Sequence, residues 1–196
     1  MEAAFTGFLG REKFYLSLKT APFAFDRDQD LLVDEAGNDP GVYNRAHELL
    51  RSYQSSHRFA VIALDNAWSG SPGVEKIQSD ITENMISSGW ARERFVVIVL
   101  NPELEAWVLQ DHPLVAQAFR FSGDLRAWLN QKGLWEDGQA KAKDPKEAIE
   151  QVLKFTHTPR SSAIYKQITG QVSVKSCVDP AFGELRGQLQ TWFGEV

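Results

Sequence analysis

Acidic side chains follow two short apolar runs of this 196-residue chain, and they are its clearest candidates for chemistry. The run Phe59–Leu64 is followed by Asp65, and the run Phe95–Leu100 is followed by Asn101-Pro-Glu-Leu-Glu105. Both runs are rich in β-branched residues and are bounded by polar or turn residues, which is typical of buried parallel strands. Parallel strands end at one edge of a sheet, where open α/β folds usually bind ligands. We therefore expect these carboxylates to lie near one site.

Each of these carboxylates has a functional and a purely structural interpretation. Asp65 is placed to act as a metal ligand or general base, or else it caps the loop 66–73 through local hydrogen bonds. Glu103 and Glu105 fall in the first turn of a predicted helix, where acidic side chains also offset the helix dipole. Of the two, Glu105 shares a side of that helix with Val108 and is predicted to point toward the sheet.

A third carboxylate would complete a metal site. Glu12 follows Gly10, just after a predicted strand at Phe5–Leu9. If that strand joins the same sheet, Glu12, Asp65 and Glu105 would form an oxygen cage suited to Mg²⁺ or Mn²⁺. Taken alone, Glu12 is a solvated helix residue.

The best candidate for anion binding lies further along the chain, in Thr156–Ser162 and the helix that follows. Arg160, Lys166 and the free N–H groups at the start of that helix would suit a phosphate. A solvated basic face is the alternative interpretation.

The elements that must position these residues are predicted to form a single domain over residues 1–196. Residues 1–111 form the α/β part and residues 112–196 a helical part packed on it. A helical pattern at Val74–Ser87 separates the two apolar runs, as in a βαβ unit, and Asp30–Asp34 is a further strand candidate. The predicted fold class is therefore α/β, with a mainly parallel sheet flanked by helices.

Helix starts are predicted wherever a residue that can cap a helix N-terminus precedes a proline. These pairs are Asp39-Pro40, Asn101-Pro102, Asp144-Pro145 and Asp179-Pro180.

Composition narrows the class of protein. The net charge of −5 argues against a broad electropositive surface for nucleic acid, although it leaves open a local basic groove. No apolar stretch approaches the roughly 20 residues needed to span a bilayer, and there is no pattern of a secretory signal. Cys177 is the sole cysteine, which excludes an internal disulfide framework. A cytoplasmic protein without a membrane partner is expected, and its oligomeric state is open.

The same residues carry a resemblance to a family. Gly10-x-Glu12, the strand before Asp65, and Asn101-Pro-Glu-Leu-Glu-Ala-Trp107 with Gln110-Asp111 occur in an order that resembles TOPRIM-like proteins encoded among bacterial phage-defence genes. Two downstream segments, Tyr165-Lys166 and Asp179-Pro-Ala-Phe182, complete the similarity.

The resemblance implies a TOPRIM-like, Rossmann-like sheet and Mg²⁺-dependent phosphodiester chemistry. In TOPRIM domains an early glutamate and an Asp-x-Asp motif bind Mg²⁺, which corresponds here to Glu12 and Asp65. Ala67 stands where the second aspartate is expected, so Glu105 would have to replace it as a ligand. Lys166 and Arg160 would then stabilise the transition-state charge.

Two functions follow from this resemblance. The first is a component of a bacterial anti-phage defence system that is a Mg²⁺-dependent nuclease or phosphodiesterase acting on nucleic acid. The alternative is a non-catalytic subunit that binds other defence-system proteins, which the missing aspartate and the acidic charge favour.

Overall fold

The computed structural model describes residues 1–34, 37–175 and 177–194 of the chain. The two strands are β1 (Ala60–Asp65) and β2 (Phe95–Leu100). The helices are α1 (Glu2–Leu9), α2 (Tyr15–Leu18), α3 (Arg27–Asp30), α4 (Asp39–Leu50), α5 (Val74–Ser87), α6 (Glu105–Val108), α7 (Pro113–Ala118), α8 (Leu125–Gln131), α9 (Pro145–Phe155), α10 (Ser162–Gln171) and α11 (Pro180–Phe193). Short 3₁₀ turns occupy Arg51–Tyr53 and Arg92–Arg94.

The predicted βαβ unit is confirmed. β1 and β2 pair in parallel, with Ala60 opposite Phe95 and Asp65 opposite Leu100, and α5 connects them. Their carboxyl ends therefore meet at one edge, as the two apolar runs predict.

β2 is buried on both faces, which explains its unbroken apolar sequence. Alternate residues of a strand point to opposite sides, so β2 divides two hydrophobic clusters. Val97 and Val99 pack with α5, whereas Val96 and Ile98 pack with the helices of the C-terminal half.

The chain is mixed α/β but mostly helical, and the two further strand predictions are wrong. Phe5–Leu9 belongs to α1, because Ala4 and Phe8 form one buried helical face that packs on α10. Gly7 permits this close crossing, since a Cβ there would collide with the Lys166 carbonyl oxygen.

The second wrong strand prediction is Asp30–Asp34. Asp30 ends α3, whose first turn is capped by the Asp26 carboxylate accepting from the Asp28 N–H at 2.9 Å. Leu31–Asp34 that follows has no regular secondary structure. Two strands are therefore all that the described residues contribute to the sheet.

Two of the four predicted helix starts are confirmed as written. Asp144 and Asp179 cap α9 and α11 by accepting from backbone N–H groups of the first turn. α4 begins one residue earlier than predicted: Asn38 is its cap, which leaves the Asp39 carboxylate available for another contact.

The Asn101-Pro102 prediction is wrong, since the next helix starts at Glu105. The Pro102 carbonyl instead accepts from the N–H groups of Asn66 and Ala67, at 3.1 and 3.0 Å. These bonds tie the loop after β2 to the loop after β1 and hold both across the carboxyl end of the sheet.

The helical C-terminal half is confirmed, because every regular element after β2 in the described part of the chain is a helix. None of the helices in the described ranges is both long enough and apolar enough to cross a membrane.

Candidate functional site

Asp65 lies at the carboxyl end of β1, as predicted, and both its backbone and its side chain form hydrogen bonds. Its N–H donates to Asp39 Oδ1, and its own Oδ1 accepts from the Leu104 N–H; both distances are 2.9 Å. The carboxylate therefore does bind a loop, but it is the loop after β2 rather than the loop 66–73.

The environment of Asp65 favours the protonated carboxyl group. Burial, followed by the negative charges of Asp39 and Glu105, raises the pKa of Asp65 to about 7. The Leu104 N–H and the N-terminal ammonium oppose this effect without cancelling it. A carboxyl group that titrates near neutral pH can both accept and release a proton, as a general acid or base must.

Glu105 is buried, with 4% of its surface exposed, and points inward as predicted. Its Oε1 accepts from the Tyr165 hydroxyl at 2.8 Å and from Arg160 Nη2 at 2.6 Å. Arg160 also contacts Glu150 at 3.1 Å. A buried carboxylate with two such donors is satisfied as a charged group.

Glu103 is also buried, with 6% of its surface exposed. Its side chain pairs with Lys146 Nζ of α9 at 3.3 Å. Burial and then the charge of Glu105 raise the pKa of Glu103, while Lys146 lowers it. Asp65, Glu103 and Glu105 together form an acidic cluster. Its two glutamates extend it away from Asp65, toward α9 and α10.

Tyr165 and Lys166 are neighbours in α10 but face different ways. Tyr165 is buried against Glu105, and burial followed by the charge of Glu105 raises the pKa of its hydroxyl. Lys166 is exposed at the cleft described next. Successive helical residues are about 100° apart, so only one of the two can contact the cluster.

A large cleft of about 1070 Å³ opens beside this cluster. Asp65, Arg160, Tyr165 and Lys166 line one end of it, together with Asp39. The structure therefore brings four of the five predicted site residues to one region, with Glu105 reaching it through Arg160 and Tyr165.

Glu12 is not brought to this region. It is exposed on the turn after α1 and does not line the cleft. The physical reason is the helical conformation of residues 2–9, which removes the strand that would have carried Glu12 to the sheet edge.

The described residues do not fit the Mg²⁺ or Mn²⁺ ion that the resemblance implies. Within residues 1–34, 37–175 and 177–194, no group of three or more His, Cys, Asp or Glu side chains is arranged to hold a metal ion. The Arg160 guanidinium occupies the Glu105 oxygen where a cation would bind, and Asp65 is partly protonated near neutral pH. In this arrangement Lys146 and Arg160 compensate the charges of Glu103 and Glu105.

Sequence reasoning did not assign a site role to Asp39, Lys146 or Tyr165. Asp39 and Lys146 are 26 and 43 residues away in the chain from their partners Asp65 and Glu103. No local pattern indicates such contacts. The Tyr165-Lys166 pair does mark this position in the sequence, but the charge of Lys166 makes it, rather than Tyr165, the expected functional side chain.

Comparisons of the chain with models of protein families, with curated proteins and with solved structures find no match.

Proposed function

We propose that this chain is a TOPRIM-like component of a bacterial anti-phage defence system, and that it serves as a binding subunit of a multi-protein complex. The order of the motifs around Glu12, Asp65 and Glu105 supports the family. The observation that carries the binding role is the pairing of Glu105 with Arg160 and Tyr165, which neutralises the carboxylate that a metal-dependent enzyme would need.

The large cleft supports the same role. Ligand sites of α/β proteins lie at the carboxyl ends of parallel strands, and this cleft reaches that end of β1 at Asp65. Its volume is at the upper limit of the range for small-molecule pockets, which favours a larger ligand.

A nuclease or phosphodiesterase is the second candidate, favoured by one specific observation. Asp65 has a pKa of about 7 and shares its cleft with the cationic side chains of Arg160 and Lys166. A phosphate placed there would meet a proton acceptor and two groups that stabilise negative charge. Arg160 would first have to leave Glu105.

Calorimetry with Mg²⁺ and with Mn²⁺ separates the two roles. The wild type is titrated beside Asp65→Ala and Glu105→Ala, and each protein is then incubated with single- and double-stranded DNA and RNA. The binding role predicts no metal binding and no cleavage. Metal binding by the wild type that both variants lose, together with cleavage, would replace it with the nuclease role.

Lys166→Ala tests the catalytic alternative without touching the buried cluster. If the protein cleaves nucleic acid, this variant is expected to lower turnover and leave metal binding intact, because Lys166 is exposed at the cleft. Unchanged turnover would remove Lys166 from the site.

A further inference from the structure

A second group of reactive side chains lies outside the acidic cluster, in the turn that leads into β1. Ser56 and His57 are adjacent in this turn, and Ser56 Oγ lies 2.9 Å from His57 Nδ1. His57 Nε2 lies 3.1 Å from Oδ1 of Asp30, the last residue of α3. A nucleophile, a base and a carboxylate that orients the base are the parts of a Ser-His-Asp triad, which is recognised by these roles rather than by sequence order.

The two ring nitrogens of His57 have complementary roles in this arrangement. A neutral imidazole has one acceptor and one donor, so Nδ1 can accept from the Ser56 hydroxyl while Nε2–H donates to Asp30. In serine proteases the serine contacts Nε2 and the aspartate contacts Nδ1, so the two nitrogens are exchanged here. The chemistry requires only that one nitrogen takes the serine proton while the other faces the carboxylate.

Contacts from distant parts of the chain fix the orientation of His57. Arg94, just before β2, donates to three carbonyl groups of the turn, including that of His57 at 2.7 Å. The Tyr53 ring packs edge-on against the imidazole, with 5.2 Å between the ring centres. Asp30 Oδ2 accepts from the Asp26 N–H at 2.6 Å, which leaves Oδ1 for His57. The local Ser-His sequence alone therefore does not set the geometry, and a rigid setting of this kind suits a catalytic group.

The group is open to a substrate and has apolar neighbours. Ser56 is exposed, and its side chain contacts the Tyr53 carbonyl only at the longer distance of 3.4 Å. His57 and Asp30 line the large cleft near the amino end of β1. Tyr53, which contacts His57, and Leu31, which follows Asp30, line the same cleft. An apolar group of a molecule that reaches Ser56 would therefore be partly removed from water.

We propose that Ser56, His57 and Asp30 form a hydrolytic site for carboxylic esters that carry an apolar acyl group. Ser56 is the nucleophile, His57 the general base and acid, and Asp30 a positioning residue. Arg58 follows His57 in the chain and lines the same cleft, where it is placed to stabilise the oxyanion that forms on the ester. This activity goes beyond the proposed binding role, because it uses none of the residues of the acidic cluster.

The reaction has two steps and needs water as its only second substrate. Ser56 Oγ bonds to the ester carbonyl carbon and passes its proton to His57 Nδ1. The bond to the alcohol oxygen then breaks, the alcohol leaves with the proton from Nδ1, and the acyl group stays on Ser56. Water attacks this acyl carbon and gives a proton to Nδ1, and Ser56 Oγ leaves and recovers it. The products are a carboxylic acid, an alcohol and the unchanged protein.

A fluorophosphonate probe tests the nucleophile, since it forms a P–O bond with an activated serine and releases fluoride. Intact mass and peptide mapping are expected to place one label on Ser56. The matched control is Ser55→Ala, which changes an equally exposed neighbour and should be labelled at the wild-type rate. His57→Gln should slow labelling about tenfold or more. An unlabelled wild type, or a label that persists in Ser56→Ala, would overturn the proposal.

Hydrolysis of p-nitrophenyl butyrate tests the reaction itself. Ser56→Ala is expected to lower kcat about a hundredfold or more, whereas Ser55→Ala keeps the wild-type value. Turnover retained by Ser56→Ala would mean that His57 attacks the ester directly, and it would overturn the proposed role of Ser56. Because two further methylenes are buried, kcat/KM for the butyrate should exceed that for p-nitrophenyl acetate, by up to about tenfold. An equal or lower value would overturn the apolar acyl class.

Asp30→Asn tests the positioning role. Asp30 acts through His57 and does not contact the ester, so kcat is expected to fall about tenfold while KM changes less than twofold. A change confined to KM, or an unchanged kcat, would remove Asp30 from the site.

Arg58→Gln tests the oxyanion assignment. It is expected to lower kcat about tenfold, because the positive charge acts on the transition state more than on the neutral ester. Wild-type turnover in this variant would exclude Arg58 as the stabilising group.

The outcomes also separate this inference from the proposed function. An absence of both labelling and ester hydrolysis would reject the Ser56 site and leave the binding role standing. Metal binding with cleavage of nucleic acid would end the binding role, and labelling of Ser56 would still be expected.

Discussion

The acidic cluster at the carboxyl end of the sheet has two halves, which differ in whether a cationic side chain contacts the carboxylates. Glu103 and Glu105 each contact a cationic side chain, Lys146 and Arg160 respectively. Asp65 has no such partner among the described residues, and its pKa is about 7. Glu103 and Glu105 are thus compensated by a neighbouring cation, whereas the negative charges of Asp39 and Glu105 act on Asp65 without one. The comparison separates a structural half from a half that remains able to bind or exchange a proton.

Asp65→Asn is expected to have the largest effect on this comparison. The pKa of Asp65 in the folded protein lies above its ordinary value of 3.8, so the folded protein holds the proton more tightly than the unfolded chain. This stabilisation is complete below pH ~4 and is lost as the pH rises to about 7. The amide keeps the acceptor for Leu104 and carries no charge, so the variant should be more stable than wild type at pH 8 by about 2–4 kcal/mol.

Urea unfolding of both proteins at pH 5 and pH 8 measures this difference. The stability of the wild type should fall between the two pH values, and that of Asp65→Asn should change much less. A wild type whose stability rises from pH 5 to pH 8 at the same rate as that of the variant would contradict the raised pKa.

Arg160→Ala breaks the other half of the cluster. It leaves the buried Glu105 carboxylate with Tyr165 alone, and we expect a loss of about 2–3 kcal/mol in the free energy of unfolding, because the guanidinium itself is half-exposed. The matched control is Arg160→Ala combined with Glu105→Gln, which removes the unpaired charge and should recover part of the loss. A double variant less stable than Arg160→Ala would argue against the pairing.

Tyr165→Phe removes one donor from the same carboxylate and keeps the ring. The expected destabilisation is about 1–2 kcal/mol, measured by urea unfolding. It is no larger because Arg160 still contacts the Glu105 carboxylate in this variant. The effect should disappear in a Glu105→Gln background if the hydroxyl acts through that charge.

Lys146→Met is expected to have the smallest effect, about 1 kcal/mol or less, because the Lys146 side chain is 46% exposed. It should also raise the pKa of Glu103 further, since Lys146 lowers it in the wild type. NMR titration of the Glu103 carboxyl carbon measures that change, and an unshifted titration would separate Lys146 from the cluster.

The local sequence pattern was sufficient to predict those elements that are determined by residues close together in the chain. The apolar runs of β1 and β2, the helix between them and the caps at Asp144 and Asp179 follow from short stretches of sequence. The inward orientation of Glu105 also follows, since the apolar side of α6 points to the core. These features depend on residues within a few positions of each other.

The wrong predictions concern segments whose conformation depends on distant contacts. Residues 5–9 are short and apolar enough for a strand, but packing against α10, more than 150 residues away, makes them helical. That one difference removes Glu12 from the sheet edge. Short apolar runs are ambiguous in this way because burial favours both conformations.

By itself, then, the sequence determines the βαβ unit, the helical second half and the acidic residues at the carboxyl ends of the strands. The tertiary structure decides which cations reach those carboxylates. Arg160, Tyr165 and Lys146 reach the cluster from α9, α10 and the loop between them, 43 to 60 residues along the chain from their partners. Their contribution depends on distance and burial, which only the folded chain defines.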